Sequence, residues 1–139
     1  MSDLEHIQPE DVYDSRGWGY TQVVRARPGR PVFVSGQVAI TADLKSVGEG
    51  DLAGQTDLAL QNLRRSLAAA GGGPEHVTMM RIYVVDCDAA KLAVIGPRVA
   101  GFFGDSPPSA QTLLGVQALA LPALRIEIEA QAIVPNESP

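Results

Sequence analysis

The sequence predicts a single α+β domain in which strands and helices alternate. Residues 126–130 alternate strictly, with Ile126 and Ile128 on one strand face and Glu127 and Glu129 on the other. A leucine stripe at helical spacing lies within residues 51–70, and β-rich segments flank it. The resulting order is βββαβαββ. Helices placed between strands in this way favour a mixed sheet with both helices on one face.

Length and composition limit the classes of function. The 139 residues suit one domain, and 45% hydrophobic with 19% charged residues is typical of a globular chain. The net charge of -5 gives no general attraction to phosphate backbones, so we expect no nucleic-acid partner. No apolar run reaches the length of a membrane span, and the polar N-terminus is unlike a signal peptide. We therefore expect a cytoplasmic location and no membrane partner.

The first half of the chain contains strands and one helix. Residues 1–18 show no periodicity and are expected to form a loose lead-in, while residues 20–26 alternate in part and predict a strand. Residues 32–40 are β-rich, and Gly36 within them predicts a bend or a close backbone approach. Asp51 is a candidate N-cap for a helix to about residue 70, where Gly71 and the following Gly-Gly-Pro end it.

The second half adds three strands and a second helix. Residues 77–85 predict a buried strand, because apolar residues occupy both faces. Residues 89–103 have helical character, but Pro97 predicts a kink or a break. Strands follow at about residues 111–119 and 124–134. Residues 135–139 are expected to be a C-terminal tail.

No metal site or cofactor is predicted. His6 and His76 have no second histidine or cysteine at ligand spacing, and Cys87 is the only cysteine, so no internal disulfide can form. The sequence has no phosphate-binding glycine loop and no dinucleotide fingerprint.

Several short motifs, in this order and at this spacing, resemble the Rid/YjgF family of small imine and enamine deaminases. The resemblance covers about residues 17–134, so we assign residues 19–134 to one such domain. The motifs that carry it are Gly19-Tyr20, Val34-Ser35-Gly36-Gln37, Gln55, Asn62-Leu63, Val84-Val85-Asp86, Phe102-Phe103, Gly115-Val116 and Ile126-Glu127-Ile128-Glu129-Ala130.

The resemblance implies a chorismate-mutase-like fold with a six-stranded mixed sheet and two helices on one face. Members of the family are homotrimers whose three sheets form a central barrel. Small-molecule ligands bind in clefts between neighbouring subunits. A homotrimer and a small-molecule ligand are thus the partners that the resemblance implies.

The resemblance also implies site residues, and one of them departs from the family pattern. In deaminating members an arginine on the fifth strand binds the substrate carboxylate; Gln111 stands at that position, with Ser109 where the motif has proline. Gly96 stands where many active members have asparagine. Loss of a charged anchor costs roughly 2–5 kcal/mol of binding free energy. The segment from Ala110 to Val116 resembles instead the arginine-lacking subgroups of the family.

The other site residues follow from the same resemblance. Glu127 matches the glutamate that positions the attacking water, and Tyr20 matches the cleft tyrosine. The further predicted substrate-binding residues are Ser35, Gly36, Gln37, Leu113 and Gly115.

Some alternatives stay open at this point. Glu127 could instead pair with a structural arginine, either Arg25 or Arg81, and Arg81 is also a candidate to replace the missing arginine. Trp18 is expected either to form an aromatic wall or to cover a subunit edge.

Three functions are consistent with the sequence. The first is hydrolysis of an imine or enamine, with Glu127 activating water and Gln111 orienting a substrate whose carboxylate is absent or differently placed. The second is a non-catalytic metabolite-binding or sensing trimer. The third is the endoribonuclease activity attached to some family relatives, which the acidic pI of about 4.9 disfavours.

Overall fold

The structure, a computed structural model, describes residues 3–137. These residues form six strands, two α-helices and two short 3-10 helices at Arg16–Trp18 and Pro74–His76. The strands and α-helices, in chain order, are β1 Leu4–Ile7, β2 Val23–Ala26, β3 Arg30–Gln37, α1 Leu52–Ala69, β4 Val77–Val85, α2 Ala89–Phe103, β5 Ala110–Val116 and β6 Ile126–Val134. The predicted α+β class with two helices is confirmed.

The strands form two sheets, so the prediction of one six-stranded sheet is wrong for the described residues. The larger sheet has the order β3-β6-β4-β5; β6 is antiparallel to both its neighbours, and β4 and β5 are parallel. Strands β1 and β2 pair only with each other. An isolated bridge between Thr21 and Ala110 joins this hairpin to the edge of the larger sheet.

The N-terminal arm, defined here as residues 3–26, is held against the edge strand β5 rather than against β3. The backbone N–H of Thr21 donates to the carbonyl of Ser109 at 3.0 Å, and its hydroxyl donates to that of Pro108 at 2.6 Å. These bonds carry the chain to the far edge of the sheet, which explains why β2 does not continue it. The expectation of a loose lead-in is corrected by β1, where Leu4 is buried and Glu5 pairs with Arg25.

Helix α1 forms where its sequence predicts it. Asp51 caps the N-terminus by accepting a hydrogen bond from the backbone N–H of Gly54 at 3.1 Å. Leu63 and Leu67 are completely buried on the core side. The helix ends before Gly71, which has φ +81° and so adopts a conformation that other residues avoid.

Helix α2 runs through Pro97 without a break, against the sequence prediction of a broken element. Ile95 and Val99, on either side of the proline, are both buried and fix the two adjoining turns to the core. The guanidinium of Arg98 donates to the carbonyl of Val94 at 3.0 Å in this turn, whereas the carbonyl that lacks its helical donor because of Pro97 is that of Ala93. Tertiary packing therefore outweighs the hydrogen bond that proline cannot donate.

Both helices cover the same face of the larger sheet. Every second residue of β6, from Ile126 to Val134, is buried and faces them. The opposite face is called the open face, and it carries Glu127 and Glu129 from β6. Phe33 and Leu114 add apolar surface there, with exposed fractions of 75% and 48%.

Two polar side chains of α1 connect the helix to the loops around it, and they are two of the motif residues noted in the sequence. The Gln55 amide donates to the carbonyls of Gly48 and Ala123 at 3.1 and 2.8 Å and accepts from the N–H of Arg125 at 2.8 Å. The Asn62 amide donates to two carbonyls in the segment that follows β3. Both residues therefore have structural roles, and these roles account for their place among the motifs that resemble the Rid/YjgF family.

We predict that Gln55→Leu lowers the free energy of unfolding by about 2–4 kcal/mol, because buried backbone groups lose their partners. Chemical denaturation measures this change. Gln61→Ala, an exposed position on the same helix, is the matched control and should stay within about 0.5 kcal/mol of the wild type. A Gln55→Leu protein as stable as the control would contradict the structural role.

Candidate functional site

A pocket of about 860 Å³ opens between helix α2, strand β5 and the N-terminal arm. The arm contributes Tyr13 and the segment from Trp18 to Gln22, and β5 contributes the segment from Ala110 to Leu113. The remaining wall consists of residues from α2 and β4, namely Leu92, Ile95, Gly96, Val99, Met79 and Ile82. The volume lies in the range of small-molecule sites.

The most distinctive property of the pocket is that the described residues lining it are uncharged. None of the described residues that line it is an aspartate, glutamate, lysine, arginine or histidine. Its polar groups are hydroxyls, amides and backbone atoms. The pocket therefore offers hydrogen bonds but no counter-ion to a charged ligand.

Three aromatic residues of the arm form one wall of the pocket. The rings of Tyr13 and Trp18 lie 5.6 Å apart between centroids with an interplanar angle of 44°. The hydroxyls of Tyr13 and Tyr20 are joined by a hydrogen bond of 2.5 Å. This bond lowers the pKa of Tyr13 and raises the pKa of Tyr20, because one proton is shared between two oxygens. The pKa values of the two tyrosines therefore move in opposite directions.

Gln111 lies in this pocket together with two other predicted ligand-binding residues, Tyr20 and Leu113. Its side-chain nitrogen donates to the carbonyl of Gly19 across a long 3.4 Å contact. Within the part of the chain that the structure describes, its side-chain oxygen accepts no hydrogen bond. The amide is thus held loosely and keeps an acceptor for a ligand.

Glu127 lies on the open face, beside the bend in β3. A Cβ atom added to Gly36 would stand 2.2 Å from Oε1 of Glu127, so the carboxylate contacts bare backbone at this point. The ladder between β3 and β6 shifts register between Val34 and Gln37, which confirms the bend predicted there. Ser35, Gly36 and Gln37 are therefore brought close to Glu127, and the Gln37 amide donates to the carbonyl of Ser35 at 3.0 Å.

The neighbouring glutamate is held by other side chains. The hydroxyl of Tyr83 donates a short hydrogen bond to Glu129, and this bond raises the pKa of Tyr83. Arg81 lies 3.8 Å from the same carboxylate. Arg25 pairs with Glu5 in the arm. Among residues 3–137, therefore, both arginines considered as partners of Glu127 are paired with other acids.

Gln111 and Glu127 lie on opposite faces of one sheet. Gln111 is paired in register with Met80, and Leu113 with Ile82, both buried on the helix side. Glu127 is paired with Tyr83, whose side chain points the other way. The predicted site residues of one chain thus fall into two groups, one in the pocket with Gln111 and one on the open face with Glu127. Arg81 lies on the open face and does not line the pocket.

Gly115 stands apart from both groups. It does not line the pocket among the described residues, and an added Cβ would lie 3.1 Å from Cβ of Cys87. A close approach of two backbone segments therefore accounts for glycine here, and its role beside a ligand stays a prediction.

Gly96, which the sequence singled out, lines the pocket, but sequence reasoning missed Tyr13 and the other residues that helix α2 contributes. Tyr13 lies in the segment expected to be loose. Three of the seven aromatic residues of the chain, however, fall between positions 13 and 20. That clustering was the available signal. The pocket role of Leu92 has no such signal, because a half-exposed leucine on a helix is common.

Comparisons with known proteins identify the family. The family model described as Endoribonuclease L-PSP matches residues 16–134, and the chain therefore belongs to this family, also called Rid/YjgF. The chain is 32% identical over 116 residues to protein DfrA of Myxococcus xanthus, covering 82% of this chain and 84% of that protein. It is 33% identical over 115 residues to a RutC family protein of Pyrococcus horikoshii, covering 81% and 85%.

Solved structures agree with this assignment. The Rid family protein YyfB of Yersinia pestis, described as of unknown function, superimposes with a TM-score of 0.91 at 41% identity, covering 95% of this chain and 99% of that one. Rv2704 of Mycobacterium tuberculosis, a YjgF/YER057c/UK114 family member, gives 0.61 at 30% identity, covering 94% and 99%.

Residues 3–137 contain no group of three metal-ligating side chains of the His, Cys, Asp and Glu types. Over the same residues, neither helix has both the length and the apolar character needed to cross a bilayer.

We predict that the tyrosines titrate in separate steps, with the first below and the later ones above the ordinary tyrosine pKa of about 10. Absorbance of the tyrosinate form follows all three residues. Tyr20→Phe removes the hydrogen bond between the two hydroxyls, so the early step should move up toward the ordinary value. A single step for all three tyrosines near pH 10 would contradict the hydrogen bond between the rings.

Proposed function

We propose that this Rid/YjgF family member is a cytoplasmic homotrimer that binds a small molecule in clefts between its copies and hydrolyses an imine or enamine there. The observation that supports this best is the contrast between the two glutamates of β6. Glu129 is held by Tyr83 and Arg81, whereas Glu127 rests against the bare backbone of Gly36 without an ion-pair partner among residues 3–137. Glu127 is therefore the carboxylate that is available as a base.

The distribution of site residues over two faces supports clefts between copies. In one chain the side chains of Gln111 and Glu127 point to opposite faces of the sheet, and Glu127 does not line the pocket that holds Gln111. The open face carries exposed Phe33 and Leu114, which a neighbouring sheet would cover. In a closed ring of three copies, the pocket of one copy would face Glu127 of the next.

The reaction requires one base and one orienting group. Glu127 accepts a proton from water as the water oxygen attacks the imine carbon, and the C=N π electrons move to nitrogen. Nitrogen takes up a proton, and the carbinolamine then collapses to a carbonyl compound and an amine or ammonia. One water is consumed, no redox partner is needed, and the amide of Gln111 orients the substrate.

The uncharged pocket separates this chain from deaminating relatives that carry an arginine. A carboxylate-bearing imine would place its charge beside Gln111, which can donate a hydrogen bond but cannot neutralise the charge. Activity on the imine of 2-aminoacrylate is therefore expected to be low, and the substrate is one without a carboxylate at that position.

A non-catalytic binding or sensing trimer is the alternative. It is favoured by the lining of the pocket, which does not include Glu127 within one chain, since the pocket can then hold a ligand without the base. The endoribonuclease name belongs to relatives. The net charge of -5 and the absence of basic residues around the pocket in the described chain do not favour RNA as a substrate.

We predict that Glu127→Gln lowers turnover about 10²–10⁴-fold, because it removes the base and keeps the shape of the side chain. The assay uses a panel of imines generated in situ by amine and amino-acid oxidases. Glu129→Gln is the matched control on the same strand face and should retain most of the activity while weakening the contact with Tyr83. Thermal melts of both variants accompany the assay. Equal turnover of wild type and Glu127→Gln would favour the binding-protein alternative.

We predict that the protein sediments at three times its chain mass of 14.7 kDa.

We also predict that two inactive variants restore activity to each other when they assemble into mixed trimers. Gln111→Ala damages the pocket that binds the substrate, and Glu127→Gln removes the base that the neighbouring copy supplies. If each site uses two copies, about a quarter of the sites in randomly mixed trimers contain both intact residues. Co-expressed variants should then regain activity that a simple mixture of pre-assembled trimers lacks. Sedimentation as a monomer, or no regain on co-expression, would contradict clefts between copies.

A further inference from the structure

The absence of ionised side chains decides what charge the pocket accepts. All sixteen described residues that line it are uncharged at neutral pH. A carboxylate group entering it would lose hydration without gaining an ion pair from this lining, and such a transfer is unfavourable. A neutral ligand incurs no such penalty.

The aromatic and aliphatic side chains that line the pocket indicate the shape of the ligand. Trp18 has 74% of its surface exposed although its ring lies at the pocket, so most of the indole is available to a ligand. Tyr20 lines the same pocket, and apolar side chains such as Leu113 and the nearly fully buried Ile95 complete the lining. Flat rings bind to such walls by stacking and by removing apolar surface from water.

Gly96 provides space in this wall that the fold does not require. A Cβ added to Gly96 would meet no atom within 4 Å, and its φ lies outside the left-handed region. Glycine in a helix interior is about 0.5–1 kcal/mol less favourable than alanine. A side chain at this position would occupy pocket volume without disturbing the core.

We propose that the pocket binds a neutral small molecule with an aromatic ring, stacked on Trp18 and Tyr20, whose hydrogen-bond donor is accepted by the side-chain oxygen of Gln111. Gly96 is the position that admits the ring. The substrate class would then be uncharged imines of aromatic amines or aldehydes rather than imines of amino acids. This inference rests on the proposed function only in taking the pocket as the ligand side of the site.

Binding can be measured directly, because Trp18 is the only tryptophan of the chain. The probes are benzamide and benzoate, which share a shape and differ in charge, and acetamide, which lacks the ring. Trp18 fluorescence and saturation-transfer NMR report binding to the full-length protein. Benzamide should bind at least about tenfold more tightly than benzoate and than acetamide.

Two glycines of α2 provide a matched pair of variants. Gly96→Leu fills the pocket and should weaken benzamide at least about tenfold. Gly101→Leu changes the same helix at a position that is also open but does not line the pocket, and it should bind benzamide within about twofold of wild type. Leu92→Trp is a second blocking variant should Gly96→Leu fail to fold. Gln111→Arg should reverse the preference toward benzoate.

The outcomes separate this inference from the proposed function. Equal or tighter binding of benzoate, equal binding of acetamide, or no binding of benzamide up to about 50 mM overturns the inference, since a fragment that fits should bind in the millimolar range. Benzamide binding without turnover of any imine supports the inference and contradicts the hydrolase. Turnover of carboxylate-bearing imines together with a preference for benzoate supports the hydrolase and contradicts the inference.

Discussion

The alternation of side chains along β6 is the constraint on which the rest of this structure depends. The strand lies between β3 and β4, so one set of its residues must be buried under the helices while the other set faces outward. Ile126 and Ile128 fill the first role and Glu127 and Glu129 the second. A register shift of one residue would bury both carboxylates in the core. The same alternation places Gln111 and Glu127 on different faces.

The two carboxylates of the open face differ because their neighbours differ. Tyr83 and Arg81 point outward from β4 and reach Glu129. Glu127 lies nearer the bend of β3, where Gly36 provides only backbone. A bulge in an edge strand thus leaves one acid available and the other engaged. The distinction therefore rests on Tyr83 and Arg81 beside Glu129 and on the glycine that allows the close approach to Glu127.

The elements with a strong local signal could be predicted from the sequence, and those defined by long-range contacts could not. Helix α1, with its Asp51 cap, and strand β4 lie where periodicity places them. The N-terminal arm could not be placed, because the bonds between Thr21 and the Ser109 region join residues far apart in sequence. The pocket depends on that arm, so Tyr13 was missed, although Trp18 and Tyr20 could be named from the sequence as candidates for its wall. The break predicted at Pro97 was wrong for a related reason, because the burial of Ile95 and Val99 by tertiary packing keeps the helix intact.

The arm links the fold to the choice of ligand. If β2 had continued the larger sheet beside β3, Trp18 and Tyr20 would lie far from β5, and the side of Gln111 toward the arm would be open to water. Because the arm crosses to the edge of β5, three aromatic rings line that edge. A fully hydrated edge could accept a charged ligand, since water would screen it. Lined by rings and lacking a counter-ion among the described pocket residues, the same edge favours neutral and flat molecules.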